Sequence, residues 1–225
     1  MRLWPKLPLI SKLTFFTQLK HLLITHTCMT FSLRISFFLS LMLLPQLALA
    51  HSPIKGIGSL LNGMLHPLLV PAQVLIILAL GLWYGQNQPA ENKMSVLVFL
   101  FATIAGLVAS DFFMVNDVSL LLLIGATVIG LIIISGIKLP QVFYILLGLF
   151  AGFIVGLDSA QEALIGKAKI LSLFGSGVGI YFLLLYAMAI SETFSTRHWQ
   201  IIAVRVIASW LSTSAIMVIA LSFSH

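Results

Sequence analysis

His66 stands in an apolar setting, within the stretch Gly63-Met64-Leu65-His66-Pro67-Leu68-Leu69-Val70-Pro71-Ala72-Gln73. An imidazole there can take up a proton or a metal ion. Read as one helix, the stretch puts His66, Val70 and Gln73 on a shared face, four and seven positions apart. Pro67 suits a first helical turn, where its missing N–H has no partner to lose. Pro71 then falls deeper, leaves the carbonyl of Pro67 without its donor and predicts a kink. Pro67, Pro71 and Gln73 thus read as gating or kink residues. A polar notch at the mouth of an apolar helix must face protein or water, which makes it a candidate site.

Other candidate ligands are His51, Asp111, Asp117, Asp158 and Glu162. With His66 they supply nitrogen and oxygen donors of the kind that suit divalent transition metals. Each acid also has a plain reading as a solvated loop charge. Asp117 and Asp158 differ in abutting apolar runs directly, and with His66 and His51 they form the expected metal set. Asn116-Asp117 also reads as an N-cap pair for the run that follows, so capping and ligation compete for the same oxygens.

No enzyme chemistry is expected. Phe174-Gly175-Ser176-Gly177 resembles a nucleophile turn at a glance, but Phe174 stands where a glycine is needed. His198 and His225 lie at the ends of apolar runs, out of place to activate a buried hydroxyl. No phosphate-binding glycine loop and no paired-carboxylate motif is present.

The elements that must position these residues follow from composition. Of 225 residues 60% are hydrophobic and 8% charged, against about a quarter charged in soluble domains. The chain therefore reads as an integral membrane protein, with the lipid bilayer as its first partner. The net charge of +6 does not indicate nucleic acid, because Arg2, Lys6, Lys12, Lys20 and Arg34 carry most of it ahead of the first acid, Glu91. Arg34, the apolar run Ile35 to Leu44, Pro45 and Ala48-Leu49-Ala50 form the pattern of a secretory signal peptide. Residues 1–50 are expected to be a signal region starting at Met29 and cleaved after Ala50. The one cysteine, Cys28, would leave with it.

In residues 51–225 six apolar runs are expected to span a membrane, near Pro67–Gly85, Met94–Ser110, Val118–Ser135, Leu139–Leu157, Ile170–Ile190 and Ile201–Phe223. A hydrocarbon core needs about 20 helical residues. Short linkers predict antiparallel neighbours, so the fold class is all-α, a polytopic helix bundle. With His51 outside, the inner ends hold Lys93, Lys138, Arg197 and Arg205, the direction of the positive-inside rule. Gly148, Gly152 and Gly156 form a glycine stripe, as do Ala102, Gly106 and Ser110, and Gly175 with Gly179, all expected to pack helices closely. Trp83, Tyr84, Trp199 and Trp210 are expected at the membrane interface.

Over this region the chain resembles the HupE/UreJ family of hydrogenase- and urease-associated membrane proteins. The family pattern His-Pro-x-x-Gly-x-Asp-His is similar to His66-Pro67-Leu68-Leu69-Val70-Pro71-Ala72-Gln73, with Ala72 and Gln73 in place of the Asp-His pair. The pattern His-Gly-x-Ala-His-Gly-x-Glu is similar to Ala151-Gly152-Phe153-Ile154-Val155-Gly156-Leu157-Asp158, with both histidines replaced and the acid shortened to aspartate. Asp117, Ser119 and Gly130 resemble a third family segment. The resemblance implies a multi-pass protein of the inner membrane, mature N-terminus outside, that moves nickel or cobalt as a transported ion without a resident cofactor. It also implies company in a homo-oligomer or with metalloenzyme maturation proteins. A non-transporting accessory subunit of the same fold is the alternative expectation.

Overall fold

A computed structural model describes residues 56–86, 92–110, 112, 118–159 and 164–223. The expected signal region, His51, Asp111, Asp117 and Glu162 lie outside the described residues. Those described form seven α-helices and no strand: α1 (Ser59–Leu69), α2 (Pro71–Gln86), α3 (Lys93–Ala109), α4 (Val118–Ser135), α5 (Gln141–Asp158), α6 (Lys167–Thr193) and α7 (His198–Ser222). Apolar runs this long bury backbone polar groups away from water, and a helix satisfies them within the segment.

Among the described residues α4, α5, α6 and α7 are long and apolar enough to cross a membrane. The expected first span is a pair of helices, α1 and α2, bent by 75° at their junction, and it counts as a fifth crossing if the pair is one span. α3, at 17 residues, is shorter than the other candidate spans.

The centre of the bundle is α2. It packs against α6 and α4 and touches α1, α5 and α7. Ile76, Ile77, Leu80, Trp83 and Tyr84 are all buried on it, as expected of a helix that is apolar all round. Trp83 and Tyr84 are therefore interior residues, which corrects their expected place at the interface. Trp199 and Trp210 are exposed, along with Phe101, Phe174, Phe182 and Met217, an outer surface suited to lipid.

Glycines set the helix registers. On α5, β-carbons at Gly148, Gly152 and Gly156 would meet the carbonyls of Ser95, Phe99 and Thr103 in turn. Both helices advance four residues per contact, so α3 and α5 run parallel. On α2, Gly81 lies against Leu184 and Ala187, and Gly85 against Met188 and Ser191, so α2 and α6 are parallel too. Gly130 faces Ala208 and Ser212 while Gly136 faces Arg205, which makes α4 and α7 antiparallel. These directions fit a chain that passes back and forth through the bundle.

Candidate functional site at the helix break

The break between α1 and α2 follows from its two prolines. A residue before proline is driven toward extended backbone, and Val70, before Pro71, has φ −94° and ψ 108°. Its N–H closes α1 on the His66 carbonyl at 3.2 Å, and its own carbonyl accepts from Val74 at 3.1 Å. Pro71 then opens α2 as its first residue, where no donor is wasted.

This reverses the expected roles of the prolines. Pro67 is the one inside a helix, near the end of α1, and Pro71 takes the first-turn position. His66, Val70 and Gln73 do not share one helical face, because the helix stops between them, though all three side chains are buried. Pro67 cannot donate to the Gly63 carbonyl. Ser176 of α6 supplies that bond instead, its hydroxyl donating to Gly63 O at 3.2 Å. Gly63 makes the approach possible, since a β-carbon there would overlap the Ser172 backbone.

Gln73 sits in the first turn of α2 with no exposed surface. Its Nε2 donates to Asp158 Oδ2 at 2.7 Å, across 85 residues of sequence. Asp158 is the last residue of α5. A carboxylate at a helix C-terminus faces the negative end of the dipole; the Gln73 amide and the positive end of α2 offset that. Buried Ser159 donates to Val155 O at 2.7 Å and lies 3.4 Å from Gln73 Oε1. One hydroxyl proton serves the shorter bond well and the longer one weakly. Carboxylate, amide oxygen and hydroxyl make an oxygen-rich corner, the donor set of hard cations.

Among the described residues no group of three His, Cys, Asp or Glu side chains comes together. His66 is buried on α1, while Asp117 and His51 lie outside the described residues. Ser159, Gly63 and Ser176 were missed as site residues; the adjacency of Ser159 to Asp158 was the available signal.

The far end of α2 is closed by aromatics. Trp83 stacks on Tyr144 of α5 with centroids 4.0 Å apart and planes at 14°. The Tyr84 hydroxyl donates to Tyr144 O at 2.8 Å, and Asn92 Nδ2 donates to Tyr84 O at 2.9 Å. A β-carbon at Gly148 would overlap that Tyr84 hydroxyl. Gln141 reaches Ser95 Oγ at 3.1 Å beside them.

The family model described as HupE / UreJ protein matches residues 39–222. The chain belongs to the HupE/UreJ family. Comparison with curated proteins and with solved structures finds no significant match. As a HupE/UreJ protein the chain is an all-helical membrane protein, and its Gln73–Asp158 bond joins the last positions of the two segments that resemble family motifs. Ala151 and Val155, which replace the two histidines of the second motif, are buried in the core.

Proposed function

We propose that this protein is a permease-like carrier for a divalent transition-metal cation, nickel or cobalt being the cargo that family membership supports. The Gln73–Asp158 hydrogen bond carries the reading. It places a carboxylate and an amide beside a helix break, the kind of discontinuity at which membrane carriers hold ions. In this reading six crossings follow a signal peptide removed after Ala50, and the break faces the outside of the inner membrane. A hydrated cation exchanges water for Asp158, and Gln73 turns from amide donor to oxygen ligand. His66, Asp117 and His51 are the additional ligands proposed. The ion then moves along α2 and α5 toward the Trp83–Tyr144 stack, which must part to release it.

The buried, apolar Ala151 and Val155 favour a second reading, an accessory subunit that keeps the fold without transport. Cell-associated nickel and cobalt, measured per folded molecule in His66→Ala, Asp117→Asn and Asp158→Asn, separates the two. Carriers sharing one site lose uptake in each variant, with losses that do not add. Unchanged uptake in all three leaves the accessory reading.

A further inference from the structure

Arg205 lies in the second turn of α7 among exposed apolar neighbours, Ile202, Val206, Ile207 and Trp210. This is a lipid-facing surface, where an uncompensated charge is costly. A long basic side chain there ordinarily snorkels toward water. This one does so along the end of α4, which lies on the same side of the bundle as the start of α7. Gly136, with φ +67°, closes that helix, and a β-carbon on it would overlap Arg205 Nη2 and lie 2.9 Å from Cζ. The guanidinium thus occupies the space a side chain at 136 would fill.

Proximity to the C-terminal turn of α4 gives it a favourable dipole but no full counter-charge. The only carboxylates among the described residues are Asp158, held by Gln73 at the opposite end of the bundle, and Glu192, and no hydrogen bond or ion pair joins Arg205 to either. Exposed Lys138 follows Gly136 by two residues. Lys93, Arg197 and His198 begin helices at this same end, all exposed. The basic side of the bundle therefore presents an exposed guanidinium packed on Gly136 and an exposed ammonium beside an apolar helix face, and the one described acid at this end, Glu192, forms an ion pair with neither.

We propose that Arg205 and Lys138 form a binding site for the phosphate of an anionic phospholipid, its acyl chains lying along Ile202, Val206 and Trp210. A guanidinium grips a phosphodiester through two parallel N–H donors, and an ammonium adds a point charge. The apolar flank distinguishes a lipid from a free anion. The site lies away from the helix break, at the other end of the bundle, and does not depend on what crosses the membrane.

The test uses full-length protein in neutral detergent, following the melting temperature while phosphatidylglycerol, phosphatidylcholine or inorganic phosphate is added. Phosphatidylglycerol should raise it saturably and the other two should not. Arg205→Gln and Lys138→Gln should each weaken the apparent affinity for phosphatidylglycerol about fivefold. Lys138 sits on an exposed linker, so Lys138→Gln keeps the test alive if Arg205→Gln does not fold. Wild-type affinity for phosphatidylglycerol in the folded variants overturns the proposal. An equal shift with phosphatidylcholine overturns it as well, and an equal shift with inorganic phosphate makes this a free-anion site.

Discussion

Pro67 and Ser176 complete each other across the contact between α1 and α6. The proline withholds an N–H from the Gly63 carbonyl, and the serine hydroxyl fills that vacancy from the neighbouring helix. A defect inside one helix becomes a bond between two.

Ser176→Ala should therefore destabilise the protein by about 1 kcal/mol, the range for a lost interhelical bond that strands a buried acceptor. In a Pro67→Ala background the helix supplies its own donor, and the serine substitution should cost measurably less. Thermal unfolding of the four proteins in detergent gives the coupling directly; additive losses would show that the two residues act independently.

Gly63→Ala should cost roughly 1–3 kcal/mol by forcing α1 off α6. Gly58→Ala should be neutral, because nothing lies within 4 Å of a β-carbon there and its φ is −62°. Equal melting temperatures for the two variants would contradict the close approach at Gly63.

Gln73→His returns an imidazole to the carboxylate of Asp158. Nickel affinity, measured by calorimetry on the purified protein, should rise about tenfold or more, since imidazole suits that ion better than an amide. The gain should fade as pH drops through about 6.5, because only neutral imidazole ligates and protons compete for it. A gain that survives at pH 5 would place the bound metal somewhere else.

Sidedness is read best at Lys138 and Lys167, both exposed and at opposite ends of α5. Ser159 and Asn92, natural choices from the linker positions alone, are buried and would label poorly. With Cys28 replaced by serine, Lys138→Cys and Lys167→Cys should react with an impermeant thiol reagent from opposite faces of the membrane. Labelling from one face would remove α5 as a crossing.

The helices were legible because long apolar runs report themselves: the run Val118–Ser135 coincides with α4 to the residue. The glycine stripe at Gly148, Gly152 and Gly156 was legible too, since a spacing of four marks one helical face. Which helix lies at the centre was not. α2 is apolar on every side, so its pattern has no face to read, and Trp83 and Tyr84 looked like interface residues until their neighbours were placed. The two prolines announced an interruption but not its position, which turned on which of them opened the second helix. Gln73 and Asp158 belong to segments whose local patterns carry no trace of one another.

One consequence concerns the stiffness of the bend. α6 runs unbroken for 27 residues and serves as a splint for both halves of the broken pair. Its first turns hold α1 through Ser172, Gly175, Ser176 and Gly179, and its last turns hold α2 through Leu184, Ala187, Met188 and Ser191. Straightening the 75° corner would strip one set of contacts or the other. Val70 is thus a braced elbow instead of a swivel, and Gln73, three residues on, is held at a set place. For the carrier proposed above, a brace of that kind sorts ions by radius and by how readily they shed water, so selectivity would reside in the brace as much as in the ligands.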